Sequence, residues 1–113
     1  YVFAAATEML KQKNRPTAIM SGNDEMAIQV YIAAMSLGLR IPDDVSIVGF
    51  DDFRTISLAL KPELTTAALP YYDLGLEGAN RLTELVAGMN GQSTGQVMPC
   101  KLVERTSVAS VYD

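Results

Sequence analysis

Two polar pairs follow apolar stretches of the chain, at points where ligand chemistry is possible. Asn23-Asp24 follows the apolar residues 17–20 after the small-residue turn Ser21-Gly22, and Asp51-Asp52 comes directly after residues 45–50. A carboxylate accepts hydrogen bonds, and an amide both donates and accepts them. In open α/β sheets, ligands bind beyond the carboxyl ends of strands. The two pairs therefore predict one wall of a small-molecule binding cleft.

The elements that position these pairs form a strand–helix–strand unit. Residues 17–20 are apolar without alternation, which is typical of a parallel strand covered on both faces. A helix is predicted from about residue 24 to residue 37, with Gly38 at the position that ends it. Either Asn23 or Asp24 can cap this helix, and Asp24 is the favoured cap. Residues 45–50 are rich in β-branched side chains and predict the second strand.

The remaining elements extend this unit into an α/β fold with an open, mostly parallel sheet flanked by helices. We expect a helix over 2–13, a helical or irregular segment over 53–60, a strand over 64–69, a helix over 71–89, an exposed loop over 88–95 and a strand over 97–103. The charges in Asp43-Asp44 and Glu104-Arg105 are expected on the surface or in turns. The tail from Thr106 carries little structural signal.

The helix after Asn23-Asp24 has two apolar sides. No charged residue occurs between Met26 and Leu39. One side, rich in small residues, suits packing on the sheet. The second carries large residues at helical spacing: Ile28, Tyr31, Ile32 and Met35. An exposed patch of this kind marks an association surface, so we expect a homodimer contact. Coverage by a neighbouring helix of the same domain is the alternative.

Composition excludes several classes of function. The 113 residues carry nine basic and thirteen acidic side chains and no histidine, which removes imidazole catalysis and histidine metal sites. The basic residues are scattered, unlike a nucleic-acid footprint. Cys100 is the single cysteine and is expected to be a buried or half-buried thiol. No apolar run is long enough for a membrane span, so a soluble, intracellular protein is expected. Tyr1 is not a natural start, and the chain looks cut from a longer one.

Several blocks of the sequence together resemble one family. They are Arg15-Pro16-Thr17-Ala18, Asn23-Asp24, the run from Gly38 to Asp52 that includes Ile41-Pro42-Asp43-Asp44-Val45-Ser46-Ile47-Val48-Gly49-Phe50, Pro62-Glu63-Leu64-Thr65-Thr66, and Leu102 to Ala109. In this order and spacing they closely resemble the C-terminal third of the lactose repressor/galactose repressor family of bacterial transcription regulators.

This resemblance implies a fold, a function and partners. Residues 1–113 would be the C-terminal lobe of an effector domain, with the three-layer fold of one lobe of a type I periplasmic-binding-protein-like domain. The segment 71–96 would return to an N-terminal lobe that is absent from this chain. Such regulators are cytoplasmic homodimers that bind a sugar or related metabolite as effector. They bind operator DNA through a helix-turn-helix head, also absent here. No cofactor, metal, membrane contact or enzymatic activity is implied.

The resemblance also assigns roles to individual residues. Asn23 matches the position whose amide contacts ligand hydroxyls, with a helix cap alone as the alternative. Asp51 matches the acidic residue of the cleft, with a turn residue as the alternative. Leu69 and Tyr71 match ligand-facing positions at the crossing between lobes, and core packing is equally open for both. Asp52 is expected in a turn or between lobes. Ile28, Tyr31, Ile32 and Met35 match the dimerisation helix.

Two other functions stay open from the sequence. A solute-binding protein of the same fold, serving transport or chemotaxis, would have no DNA partner. An enzyme is the third class. Without histidine there is no Ser-His or Cys-His pair, and no glycine loop of the phosphate-binding kind occurs. The C-terminal blocks favour the regulator over the solute-binding protein.

Overall fold

A computed structural model describes residues 1–89 and 95–112. Its elements are α1 (Val2–Leu10), β1 (Ala18–Met20), α2 (Asp24–Ser36), β2 (Ser46–Asp51), α3 (Arg54–Ser57), β3 (Thr65–Ala68), α4 (Tyr71–Val86) and β4 (Lys101–Val103). They divide into two compact units. The first contains residues 1–68 and 102–113, and the second contains residues 69–101.

The sheet has the strand order β1-β2-β3-β4. Strands β1 and β2 are parallel, with Ile19 opposite Ile47, and β2 and β3 are parallel, with Asp51 opposite Ala68. The connection from β1 to β2 runs through α2, because parallel neighbours need a crossover. An open sheet flanked by helices is therefore the observed architecture, and the predicted fold class is confirmed.

The core of the first unit lies between α2 and the sheet. Ala27, Ala33 and Ala34 on α2 are completely buried, and so are Ile47 on β2 and the neighbouring Leu64. Small side chains on α2 let the helix backbone approach the strands closely. Helix α1 packs against α2 and adds Ala6 and Leu10 to the same core. The predicted small-residue side of α2 thus faces the core.

Helix α2 ends as its sequence predicts. Gly38 has a φ of +71°, the left-handed conformation that glycine adopts without steric cost. The N–H of Leu39 donates to the carbonyl of Ala34, and that of Gly38 donates to Met35. These bonds satisfy carbonyls that the end of the helix would otherwise leave unpaired.

One residue of the C-terminal tail, Ser107, lies in the core, although the tail carries little structural signal in its sequence. Ser107 is completely buried. Its hydroxyl donates to the carbonyl of Ile47 at 2.6 Å and accepts from the N–H of Thr65 at 2.8 Å. The N–H of Ile47 in turn donates to the Ser107 carbonyl. One serine therefore bridges β2 and β3, through contacts between residues about 40 and 60 positions apart in sequence.

Three expectations are wrong. The first and last residues of β1, Ala18 and Met20, are exposed, so this strand is not covered on both faces. Cys100 is exposed rather than buried. The last strand is confined to Lys101–Val103, without the predicted start at residue 97. Residues 90–94 of the predicted loop 88–95 lie outside the described part of the chain.

The second unit consists of α4 and the segment that follows it. Helix α4 has no buried residue. Its charged side carries an ion pair between Glu77 and Arg81, one turn apart. The large apolar residues are exposed: Leu74, Leu76, Leu82, Leu85 and Val86. Among the described residues, no helix combines the length and apolar character that crossing a membrane requires.

Candidate functional site at the carboxyl edge of the sheet

Asn23 is the N-cap of α2. Its side-chain oxygen accepts a hydrogen bond of 2.8 Å from the N–H of Met26, three residues later. This bond satisfies one of the backbone donors left unpaired at the start of a helix. Asp24, the favoured cap from sequence, does not fill that role. The side-chain amide nitrogen of Asn23 has no partner in the described part of the chain, so it can donate to a ligand while the oxygen caps the helix.

Asp24 is a buried anchor instead of a cap. Its side chain is 1% exposed. One carboxylate oxygen accepts from the hydroxyl of Thr66 on β3 at 2.7 Å, and the other accepts from the N–H of Phe53 at 2.8 Å. The carboxylate also lies in the first turn of α2, where the helix dipole stabilises negative charge. Asp24 therefore joins the start of α2 to β3 and to the segment after β2.

Gly49 gives Asp24 the space it occupies. A Cβ atom at position 49 would overlap the Asp24 carboxylate, and it would lie 2.8 Å from Leu64 and 3.2 Å from the Thr66 hydroxyl. A side chain on Gly49 is therefore incompatible with the anchor. The sequence offers no signal for this close approach beyond the glycine itself within an apolar strand.

Asp51, the last residue of β2, has an unusual backbone conformation. Its φ is +112°, and that of Asp52 is +53°. Residues other than glycine rarely adopt positive φ, and each instance costs of order 1–3 kcal/mol. Partial burial, the Asp24 carboxylate and the Glu25 carboxylate all raise the pKa of Asp51. These charges act on Asp51 because the two polar pairs share one edge of the sheet.

Asp52 is held by Arg105. The Arg105 guanidinium donates to an Asp52 carboxylate oxygen at 2.7 Å, and the Ser57 hydroxyl donates to the same oxygen at 2.9 Å. The two charged side chains are only 10% and 16% exposed. Burial raises the pKa of Asp52, but the hydrogen bonds from Arg105 and Ser57 and the charges of Arg105 and Arg54 outweigh it, so the pKa is lowered.

The prediction that Arg105 is a solvated surface charge is therefore wrong. A second nitrogen of its guanidinium donates to the carbonyl of Leu64 at 2.7 Å, which leaves little of the group for water. The pair joins residues 53 positions apart, and no local pattern indicates such a contact. Asp43 and Asp44, by contrast, form ion pairs with the exposed Arg40 in a turn, as expected.

An apolar groove of about 200 Å³ opens beside the residues that precede Asn23. It lies between α1, the end of β1 and the first half of α2, and it is lined by Ala5, Met9, Ile19, Met20, Gly22 and Met26, among others. Ser21 also lines it. The Ser21 hydroxyl is buried and has no hydrogen-bond partner among the described residues. The groove gives the edge of the sheet an apolar surface next to its polar groups.

Leu69 and Tyr71 belong to the second unit. Leu69 is half-buried, and its carbonyl accepts a hydrogen bond of 2.9 Å from the N–H of Tyr71. Tyr71 is the first residue of α4 and is 56% exposed. Their predicted contact with a ligand stays a prediction.

The outer side of α2 is only partly as predicted. Ile32 and Met35 are 44% and 65% exposed, and Ile28 is half-buried. Tyr31 is 2% exposed, and its hydroxyl donates to the carbonyl of Pro62 at 2.9 Å. Burial raises the pKa of Tyr31 to about 12, and a hydrogen bond with Ser107 partly opposes this. Tyr31 therefore contributes to the core of its own unit. It lies at the margin of the exposed stripe of α2, which consists of Ile28, Ile32 and Met35.

The groups at the edge of the sheet can form hydrogen bonds with a small molecule and pack against its apolar surface. They offer an amide donor, a carboxylate and an adjacent apolar groove. Within the described ranges, no group of three or more His, Cys, Asp or Glu side chains could hold a metal ion. Sequence reasoning placed Asn23 and Asp51 at this edge, where their ligand roles stay predictions, and missed the anchoring by Asp24, Thr66 and Arg105.

Comparisons with known proteins identify the family of the chain. Residues 2–108 match the family described as periplasmic binding protein-like domain. The HTH-type transcriptional repressor PurR of Proteus mirabilis is 43% identical over 108 residues, which are 95% of this chain and 31% of the repressor. The chain thus spans about a third of the length of the curated relatives it matches.

Solved structures show the same fold. A LacI-family transcriptional regulator protein from Rhizobium etli is 75% identical, with a TM-score of 0.86 over 97% of this chain and 39% of that one. The lac repressor dimer bound to operator and the anti-inducer ONPF is 33% identical, with a TM-score of 0.87 over 96% of this chain and 37% of that one.

These matches cover nearly the whole chain and include the edge with Asn23 and Asp51. The resemblance seen in the sequence is confirmed. The chain therefore belongs to the family of periplasmic binding protein-like domains, in the form that lactose repressor/galactose repressor regulators use as their effector-binding domain.

Proposed function

We propose that this chain is the effector-binding and dimerisation part of a bacterial transcription regulator whose DNA-binding head lies outside it. The effector is a sugar or a related hydroxyl-rich metabolite. Such a regulator binds operator DNA through the head, acts in the cytoplasm and performs no enzymatic reaction. The matched repressors and operator-bound relative support this function over that of a transport or chemotaxis solute-binding protein.

One observation carries the proposal: Asn23 and Asp51 present a donor and an acceptor at the same edge of the sheet. The Asn23 oxygen is occupied by the helix cap, so its amide nitrogen donates to a ligand hydroxyl oxygen. The Asp51 carboxylate accepts from ligand hydroxyl groups. Hydrogen bonds to charged groups contribute about 1.5–3 kcal/mol. The apolar groove beside Asn23 suits the less polar face of the same molecule.

The mechanism is a population shift between two arrangements of the effector domain. This chain supplies one wall of the cleft, and residues outside it supply the other. An effector that contacts both walls favours the closed arrangement by its differential affinity. The dimer transmits that change to the heads, with a coupling of about 1–3 kcal/mol that is typical of such systems.

The exposed stripe of α2 forms the dimer contact in this proposal. Ile28, Ile32 and Met35 contribute to it, and Tyr31 supports them from inside the unit. Large apolar side chains such as Met35 gain by leaving water when a second copy covers them. The helix that begins at Asn23 then connects effector binding with assembly.

The segment 71–96 returns, in this proposal, to the N-terminal lobe outside the chain. The absence of any buried residue on α4 supports this assignment, because a 16-residue helix with an exposed apolar side needs a cover. Leu69 and Tyr71 then lie at the crossing between lobes and complete the cleft.

The effector roles can be tested in the full-length regulator that carries this chain. A panel of monosaccharides, disaccharides and nucleosides is screened for compounds that change its affinity for its operator. Asn23→Asp keeps a capping oxygen and removes the amide donor, and Asp51→Asn removes the charge. We expect each variant to bind the active compound about 10- to 100-fold more weakly, with operator affinity unchanged.

The control is Asp43→Asn, which removes an exposed turn charge that pairs with Arg40 and belongs to neither polar pair. It should respond as the wild type does. A normal response in both Asn23→Asp and Asp51→Asn would contradict the assigned roles.

The dimer contact is tested by charges on the exposed stripe. Ile28→Asp combined with Ile32→Asp should yield a monomer by light scattering, because two carboxylates would be buried without partners. Gln29→Asp adds a charge to an exposed position of the same helix outside the stripe and should leave the dimer intact. A dimer that persists in the double variant would refute the contact.

A further inference from the structure

The turn formed by Asp51 and Asp52 is held in a conformation that its own residues disfavour. Both residues have positive φ, +112° and +53°. A chain with these side chains would relax to negative φ unless the surrounding structure prevented it. The groups that prevent it therefore decide where the Asp51 carboxylate lies.

The first restraint comes from Asp24. Its carboxylate accepts the N–H of Phe53, two residues after Asp51, and its second oxygen is held by the Thr66 hydroxyl. Thr66 lies on β3, whose ladder with β2 includes the pair Asp51 and Ala68. The restraint thus closes a short loop of contacts around Asp51.

The second restraint comes from Arg105. It holds the Asp52 carboxylate together with Ser57, and it is itself held by the carbonyl of Leu64. Its own N–H also donates to the hydroxyl of Thr65 on β3, at 2.9 Å. Several hydrogen bonds therefore fix the position of Arg105, and Arg105 in turn fixes the position of Asp52.

We propose that Asp24 and Arg105 are positioning residues that hold the Asp51-Asp52 turn, so that the Asp51 carboxylate is already in its binding position before the effector arrives. Neither residue needs to touch the effector. The effector then does not supply the free energy of ordering this turn, which favours tighter binding. The inference rests on the proposed function of Asp51, although the restraint itself is independent of any ligand.

The test follows the titration of the Asp51 carboxyl carbon by NMR in the full-length protein labelled with 13C-aspartate. The signal is identified by its loss in Asp51→Asn. In the wild type, burial and the carboxylates of Asp24 and Glu25 raise the pKa of Asp51. Arg105→Gln should lower this pKa towards the ordinary value, because the released turn lets the carboxylate enter water.

The direction of the change separates positioning from a simple charge effect. Removing the positive charge of Arg105 would by itself raise the pKa of a nearby carboxyl group. Thr66→Val, which changes no charge and loosens the other restraint, should also lower the pKa of Asp51. Arg40→Gln removes an exposed arginine paired with Asp43 and Asp44 and serves as the control without effect.

An unchanged or raised pKa of Asp51 in folded Arg105→Gln and Thr66→Val proteins would overturn the proposal. If Arg105→Gln does not fold, Arg105→Lys takes its place, since it keeps the charge and loses the double contact with Asp52 and Leu64. This readout needs no effector. The NMR result can therefore contradict the positioning role while the effector-binding experiment on Asp51→Asn supports the proposed function. The reverse outcome is equally possible.

Discussion

Helices α2 and α4 are both long and rich in apolar residues, yet only α2 buries them. Six of its 13 residues are buried, including Ala27 and Tyr31, whereas none of the 16 residues of α4 is. Helix α4 has the clearer separation of charged and apolar sides, with the Glu77–Arg81 ion pair on one of them. The comparison teaches that an amphipathic pattern specifies a helix and the side it will bury. It does not specify that the covering surface belongs to the same chain.

The largest expected effect compares a buried side chain under α2 with an exposed side chain on α4. In the 113-residue chain, Ile47→Ala should lower the free energy of unfolding by about 2–5 kcal/mol, because it opens a cavity under α2. Leu82→Ala on α4 should change it by less than about 0.5 kcal/mol, as expected for an exposed position. Chemical denaturation of both variants measures the difference. Equal losses in the free energy of unfolding would contradict the difference in burial between the two helices.

A second experiment asks whether α4 gains a cover in the longer protein. In the full-length regulator, Leu82→Ala should cost about 2–3 kcal/mol, since a lobe outside this chain would bury that side chain. Thr83→Ala, at an exposed position beside it, is the matched control and should cost much less. A cost as small as that in the 113-residue chain would contradict the proposed return of 71–96 to the missing lobe.

The smallest expected effects concern two adjacent residues, Asp51 and Asp52, whose pKa values are shifted in opposite directions. The pKa of Asp52 is lowered, so its ionised form stabilises the fold at pH values above the ordinary aspartate pKa. This contribution is lost as the pH falls through the lowered pKa. Asp52→Asn should therefore cost about 1.5 kcal/mol at pH 7, and progressively less as the pH falls below the ordinary aspartate pKa.

Asp51 should respond with the opposite sign. Its pKa is raised, so its ionisation opposes folding at neutral pH, and this penalty is absent in acid where the group is protonated. Asp51→Asn should raise the melting temperature at pH 7 and leave it unchanged at pH 3. Melting curves of both variants across this range test the pair. If both variants showed the same pH dependence, the contact with Arg105 would not be what separates the behaviour of Asp52 from that of Asp51.

The parts of the fold that were predictable from sequence rest on local signals. The end of α2 at Gly38 was predictable because the left-handed conformation of a glycine depends only on the adjacent turn. The strands β1 to β3 follow from short apolar runs between turn residues, and Asn23 and Asp51 follow from their position after those runs. Their order along the chain was enough to place them at one edge of the sheet.

The parts that were not predictable depend on distant partners. Arg105 looks like a solvated charge because its partner, Asp52, lies 53 residues earlier. Asp24 looks like a helix cap because Thr66 and the Phe53 N–H are invisible to local reasoning. Ser107 carries no local structural signal, although it bridges two strands. The exposure of Cys100 likewise depends on the surroundings of its segment and not on the residue type.

The bridge made by Ser107 has a consequence for synthesis of the protein. Strands β2 and β3 leave the ribosome about 60 and 40 residues before Ser107 does, so the nascent chain holds them without the hydroxyl that joins them. Arg105, which secures Asp52, is also made late. The contacts of Ser107 and Arg105 can therefore form only after both residues have emerged, and a translation product that stops before Arg105 would lack the serine bridge between β2 and β3.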